Sequence, residues 1–131
     1  MKTLTITESL NHNVSLVWEI ISDLSRSDWV PGVDEISMEN DTREFFMQGM
    51  GKIKEKILLC DEINKVLKYS AIETPAEIKH HLACIKLTEN ETGCDFSWST
   101  EIDPEMYISG VEQGMISSLE QLKKILDNQL P

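Results

Sequence analysis

The sequence predicts an α+β fold in which a run of antiparallel strands lies between helical segments. An alternating stretch followed by a helical pattern opens the chain, six strand-like segments fill residues 33–103, and a helical period returns after Asp103-Pro104. Short connections between consecutive strands favour antiparallel neighbours. We therefore expect a seven-stranded antiparallel sheet with its helices gathered on one side.

The first strand and two short helices come before the main run of strands. "TLTIT" (3–7) alternates and predicts a strand, and a helical apolar face follows at Val14, Val17, Trp18, Ile21 and Leu24. Asn11 or Asn13 can cap this helix. The segment 25–29 is expected to form a second short helix, which ends because Pro31 biases Val30 away from helical angles.

The six following strands are recognised by the turn sequences between them, which are rich in Asn, Asp, Gly and Pro. We expect strands near 33–40, 42–48, 51–60, 65–73, 78–89 and 94–103.

The C-terminal segment carries one apolar helical face, made of Ile108, Val111, Met115, Leu119, Leu122 and Leu126. A curved sheet wrapped around this long helix can leave a cavity between them. With no repeat or linker in the sequence, we expect one domain over residues 1–131.

Charge and composition exclude some classes of partner. The formal net charge is −11, from 23 acidic and 12 basic residues. This charge repels phosphate backbones and anionic lipid headgroups, so we expect no nucleic-acid partner. The start "MKTLTITES" has no apolar signal segment, and no stretch predicts membrane insertion. Three cysteines without a CxxC spacing favour reduced thiols and a cytoplasmic protein.

Several segments together carry a resemblance to a known family. "VWEIISDLSRSDWVPGVDEI" (17–36) resembles the "VW…I.D…..W.P.V" segment of the START-like helix-grip superfamily (SRPBCC), and its polyketide cyclase/dehydrase-type branch is most similar. "IKEKI", "LKYSAIE" and "CDFSWSTEIDP" follow in that family's order. The resemblance implies a helix-grip fold with a hydrophobic cavity between the sheet and the C-terminal helix. It implies no single reaction, because the superfamily includes lipid carriers, cyclases, hydroxylase domains and chaperone activators.

Glu55 is the one carboxylate in an apolar row, since Ile53 and Ile57 point to the same side of the predicted strand. In the hairpin around "QGM", pairing of Phe45 with Ile53 places Arg43 directly opposite Glu55, within reach of an ion pair. Arg43 can therefore neutralise Glu55.

Estimated registers extend this pair into a polar row across the concave face. Glu55 is expected beside Tyr69 or Ala71, and Tyr69 near His81, with Trp98 following on the last strand. One interpretation is that the row lines a ligand cavity. The other is that Arg43 and Glu55 form a buried ion pair with a purely structural role, which contributes little net stability.

Other candidate ligand contacts are Phe45, Met38, Trp29, Met115, Gly110 and Gly114. Gly110 and Gly114 lie four apart on a helix, which predicts either close approach of the helix to the sheet or room for a ligand. Trp29 is expected at the cavity mouth or as a packing residue.

Three hypotheses for function follow. The first is binding of a small, mostly hydrophobic ligand, lipid- or polyketide-like, with Arg43 steering its polar end. The second is a cyclase or dehydratase that uses Glu55 or His81 as general base and Tyr69 or Arg43 to stabilise an enolate. The third is a protein-interaction or chaperone co-factor domain acting through its acidic outer face.

No cofactor and no metal are expected. His80 and His81 point to opposite sides of a strand and cannot share a metal ion, and no residue set has zinc-ligand spacing. The sequence does not determine the oligomeric state, and a homodimer is possible.

Overall fold

The computed structural model describes residues 1–128 and contains two α-helices and one antiparallel sheet. The domain predicted over 1–131 extends past this range, so its last three residues lie outside the described residues. In chain order the elements are β1 (Lys2–Leu10), α1 (Val14–Ser22), β2 (Ile36–Glu39), β3 (Thr42–Met47), β4 (Gly51–Asp61), β5 (Val66–Glu73), β6 (His80–Asn90), β7 (Gly93–Asp103) and α2 (Ile108–Asn128). A single 3-10 turn, Glu105–Tyr107, precedes α2.

The α+β helix-grip prediction is confirmed, because a curved seven-stranded sheet faces the long helix α2. The strand order is β1-β7-β6-β5-β4-β3-β2, so the chain places β1 beside its last strand and then runs as a meander from β2 to β7. All the predicted strands are present, although β2 is shorter than the predicted segment 33–40.

The segment before β2 differs from the sequence prediction. Asn13 caps α1 by accepting a hydrogen bond from the Ser15 backbone N–H, as expected for one of the two candidate caps. The second short helix predicted over 25–29 is wrong, because these residues form separate turns. The Arg26 N–H donates to the Asp23 carbonyl and the Val30 N–H to the Ser27 carbonyl, which closes two separate turns in place of one helix.

Two apolar clusters fill the side of the sheet that faces the helices. The main apolar cluster joins α1, α2 and the strands β5 to β7, and its buried members include Ile20, Leu67, Ile85, Phe96 and Leu122. The small apolar cluster consists of Val33, Phe45 and Ile53, beside strands β3 and β4. Polar side chains lie on the sheet between these two clusters.

Helix α2 is fixed beside β1 by a polar contact. Lys123 Nζ donates to Glu8 Oε1 over 2.6 Å. With about 100° per residue, Gly110 and Gly114 lie on the opposite flank of α2, away from β1. On the side that faces away from β1, the first turns of α2 therefore have no side chains at Gly110 and Gly114.

Candidate functional site

The candidate site is a set of polar side chains on the concave face of the sheet, which we call the concave polar group: Arg43, Glu55, Tyr69, His81 and Trp98. The predicted hairpin register is confirmed, because Arg43 pairs with Glu55 and Phe45 pairs with Ile53. Of the two predicted neighbours of Glu55 on β5, Ala71 is the one that pairs with it.

The predicted polar row is confirmed in part, because Tyr69 lies near His81 but one position out of the row that runs through Glu55. Tyr69 pairs with Ile57 and Ala83, not with His81, and the β5–β6 ladder ends at this pair. The row through Arg43 and Glu55 continues instead to Ala71 and then to the His81 position. Tyr69 still belongs to the group, since its ring centroid lies 6.1 Å from that of His81.

Arg43 and Glu55 form a buried ion pair through one hydrogen bond. Arg43 Nε donates to Glu55 Oε1 over 2.7 Å, and the two side chains are 12% and 13% exposed. The Arg43 guanidinium also stacks on the Tyr69 ring, 4.6 Å from its centroid, as a cation–π contact. In residues 1–128 no protein acceptor bonds the terminal Nη1 and Nη2 groups of Arg43.

Burial shapes the protonation of the two acids in the group. Burial raises the pKa of Glu55 above its usual value, and the nearby Arg43 charge opposes this rise without cancelling it. Burial, together with the Glu55 charge, raises the pKa of Tyr69, so its hydroxyl stays protonated at neutral pH. Glu55 thus binds a proton more readily than an exposed glutamate.

His81 is fixed in one neutral form by the backbone of β5. Its Nδ1 accepts the Ala71 backbone N–H over 2.8 Å, so the ring proton of the neutral imidazole must be on Nε2. Burial, with a smaller effect of His80, lowers the pKa of His81 to about 4. The ring takes the place of the strand carbonyl, because the His81 carbonyl accepts a hydrogen bond from the Ser70 hydroxyl instead.

Trp98 contributes a buried donor without a partner. Its indole N–H approaches the Tyr69 hydroxyl closely enough to influence the pKa of Tyr69, but the geometry does not make a hydrogen bond. Trp98 Nε1 is one of two fully buried side-chain polar atoms of the described chain that lack a partner. An unpaired buried donor of this kind costs free energy, so a missing acceptor would stabilise it.

The remaining predicted contacts take different positions. Trp29 is buried with its ring 5.8 Å from that of Trp98, which favours the packing interpretation. Phe45 belongs to the small apolar cluster. Met38 lies on the edge strand β2 and pairs there with Arg43 of β3. Met115 is buried and its sulfur accepts the Thr100 hydroxyl.

The two helix glycines do not serve close packing. A Cβ added at Gly110 or Gly114 would meet no atom within 4 Å. The close-approach interpretation is therefore wrong, and room for a ligand stays a prediction.

Two clefts open on the surface of the described residues. One, of about 650 Å³, is lined by residues that include Gly32, Glu35, Glu44, Phe46 and Lys52. The other, of about 310 Å³, lies where the β5–β6 ladder ends, and its lining includes Leu58, Ser70, Ala71, His80 and His81. Neither cleft lies between the sheet and α2, so the cavity that the family resemblance implies stays a prediction.

Sequence reasoning missed the role of Ala71, whose backbone N–H orients the His81 ring. Nothing in the type of residue 71 could have indicated it. Among residues 1–128 no cluster of three or more histidine, cysteine, aspartate or glutamate side chains could hold a metal ion, and no helix there has the length and apolarity of a membrane span.

Comparisons with known proteins agree with this architecture. Residues 1–127 match the family described as polyketide cyclase / dehydrase and lipid transport. The structure is similar to that of the protein XoxI from Bacillus cereus, with 18% identity, a TM-score of 0.87 and 96% of each chain covered. It is also similar to an uncharacterized protein from Bacillus thuringiensis, with 18% identity, a TM-score of 0.84 and coverage of 95% of this chain and 98% of that one.

A third similar structure is a protein from Nitrosospira multiformis, with 15% identity, a TM-score of 0.78 and coverage of 95% and 96% of the two chains. Identities this low show the shared fold alone. No curated protein matches the chain. The match over residues 1–127 nonetheless spans almost the whole sequence, and the chain therefore belongs to the polyketide cyclase/dehydrase and lipid transport family.

Proposed function

We propose that this protein binds a small, mostly hydrophobic molecule, lipid- or polyketide-like, between the concave face of the sheet and α2. Arg43 holds the polar end of this molecule. The observation that carries the proposal is the buried indole N–H of Trp98, which has no partner among the described residues. Nη1 and Nη2 of Arg43, which solvent reaches, also have no protein acceptor there.

The energetics of burial support a ligand over a purely structural role. Removing an ion pair from water costs several kcal/mol, and good geometry with additional hydrogen bonds is needed to offset this cost. Arg43 and Glu55 make a single bond to each other. A ligand with a polar end would supply the acceptors that the protein lacks.

The apolar part of the ligand would lie between the two apolar clusters. Trp29 and Met115 bound the main cluster on this side, and Phe45 bounds the small one. Met38 stands at the outer edge of the same face. The side-chain-free flank at Gly110 and Gly114 would be the entrance, because nothing occupies the space beside it.

Native mass spectrometry of the protein purified from its host tests the proposal. We expect a non-covalent adduct on the wild type and its loss from the double variant Arg43→Met/Glu55→Leu. The matched control is Arg26→Met/Asp28→Leu, which removes the exposed ion pair of the other arginine by the same substitutions. An adduct that survives in the first variant, or an adduct absent from all three proteins, would contradict the proposal.

A second candidate function is a cyclase or dehydratase with Glu55 as general base, and the raised pKa of Glu55 favours it. His81 is a poor base in this arrangement, since one nitrogen accepts the Ala71 N–H and the other already carries the proton. Turnover of a polyketide-like substrate that Glu55→Gln abolishes, with substrate affinity retained, would support the enzyme.

We also propose that the protein is a single domain and that it works in the cytoplasm, a reducing compartment. The three cysteines, Cys60, Cys84 and Cys94, are all free, which supports this location.

A further inference from the structure

We infer that the polar end of the ligand is a carboxylate, bound by the outer edge of the Arg43 guanidinium and by the Nε2–H of His81. This inference rests on the proposed binding function and names the chemical class of the ligand head. It follows from which hydrogen-bonding groups of the concave polar group are committed to protein partners and which are not.

His81 is a donor that cannot become an acceptor. A backbone N–H can only donate, so the Ala71 N–H that bonds Nδ1 keeps that nitrogen unprotonated. The proton on Nε2 has no acceptor in the described part of the chain, and Nε2 is not sealed from its surroundings. The ring therefore offers one fixed N–H, on the same face as Tyr69, to whatever binds there.

Arg43 presents its unused donors in a geometry that suits a carboxylate. Its single bond to Glu55 runs from Nε, so the edge formed by Nη1 and Nη2 is left without a protein acceptor. Two parallel N–H groups on this edge match the two oxygens of a carboxylate. Stacking on Tyr69 holds the plane of the guanidinium in place.

The group offers more unused donors than unused acceptors. The Trp98 indole N–H adds a further donor, whereas Glu55 Oε1 is bonded to Arg43, so Glu55 Oε2 and the Tyr69 hydroxyl oxygen are the acceptors left among the described residues. An amine head could use these two acceptors but would leave the donors of Arg43, His81 and Trp98 unpaired, and an alcohol head could satisfy only part of them. A carboxylate accepts several hydrogen bonds through both oxygens and so fits this set.

The test compares decanoate, decanol and decylamine, which share one chain length and differ in the head. Binding is followed by the fluorescence of the wild-type protein and of two variants of His81. His81→Asn places an amide oxygen near the position of Nδ1, which keeps an acceptor for Ala71 and removes the Nε2–H. His81→Gln places an amide N–H near the position of Nε2 and keeps the donor.

We expect the wild type to bind decanoate about tenfold or more tightly than decanol, because hydrogen bonds to a charged group are the stronger ones. His81→Asn should lose about tenfold in affinity for decanoate and clearly less for decanol, because a bond to a neutral hydroxyl is weaker than one to a carboxylate. His81→Gln should keep most of the preference for decanoate. Decanol binding that is retained shows that the variant is folded.

The outcomes separate this inference from the function on which it rests. Decanol or decylamine binding as tightly as decanoate would overturn the carboxylate while leaving ligand binding intact. So would a preference for decanoate that survives in His81→Asn. Failure of all three compounds to bind would overturn the proposed function itself.

Discussion

The two arginines of the chain form ion pairs in two different regions, and the better-bonded pair is on the surface. Arg26, in the turns after α1, donates twice to Asp28, from Nε over 2.6 Å and from Nη2 over 2.9 Å. Arg43, inside the concave face, donates once to Glu55. The exposed pair therefore has two hydrogen bonds, from Nε and Nη2 of the guanidinium, whereas the buried pair has one, from Nε alone.

A pair selected for stability would show the reverse. Exposed pairs typically contribute only roughly 0–1 kcal/mol, whereas a buried pair needs several hydrogen bonds to offset its desolvation. The single bond of Arg43 to Glu55, with the unpaired N–H of Trp98 nearby in the described residues, agrees with the ligand site that we propose.

Removal of one partner should separate the two pairs most strongly. Glu55→Leu leaves the Arg43 charge uncompensated where it is mostly buried, so we expect a loss of about 3 kcal/mol in the free energy of unfolding. Asp28→Leu should change it by less than about 1 kcal/mol, because Arg26 remains hydrated. Urea unfolding of both variants measures the difference, and equal losses would remove the distinction between the regions.

Acidification should destabilise the protein through His81. The pKa of His81 is about 4 in the folded protein and 6.5 in the unfolded chain. Between these two pH values His81 binds a proton in the unfolded chain but not in the folded protein. Stability is therefore lost as the pH falls from 6.5 to about 4, by roughly 3 kcal/mol from this residue.

Comparison with His81→Asn isolates this effect. Glu55, in the same row, has a raised pKa and opposes the loss, but both proteins contain it. The difference in stability between wild type and His81→Asn should narrow or reverse as the pH falls. Parallel curves over this range would show that the imidazole is not held neutral.

Removal of both partners should have the smallest effect. In Arg43→Met/Glu55→Leu no charge is left unpaired, so we expect stability within about 1 kcal/mol of the wild type, as for many buried pairs replaced by apolar residues. Thermal unfolding of this variant and of Arg26→Met/Asp28→Leu tests the expectation. A loss as large as that of Glu55→Leu alone would make the pair a structural element.

The sequence was sufficient for the fold and for the central pair of the site. Alternation and turn residues located each strand, and the hairpin between β3 and β4 determined its own register, so Arg43 and Glu55 could be placed opposite one another. The register of this hairpin could be predicted because only a few residues separate the two strands, so the turn itself aligns them.

The register between β4, β5 and β6 could not be predicted in the same way. The pairing of β4 with β5 is irregular at two positions, just before Glu55 and just after Ile57. Each irregularity shifts the register of all the pairs that follow it. In addition, Nδ1 of His81 accepts the Ala71 N–H in place of a backbone carbonyl of β6, and no residue pattern predicts such a bond. The prediction of the second short helix was wrong because the backbone there closes two separate turns, from Asp23 to Arg26 and from Ser27 to Val30, and no continuous helix.

The indole N–H resonance of Trp98 tests the central claim most directly, since this buried donor has no partner within residues 1–128. When decanoate or decanol is added to ¹⁵N-labelled protein, we predict that the Trp98 resonance shifts while that of Trp18, in α1, stays in place. A Trp98 resonance that neither compound moves would contradict the assignment of the concave face as the binding site.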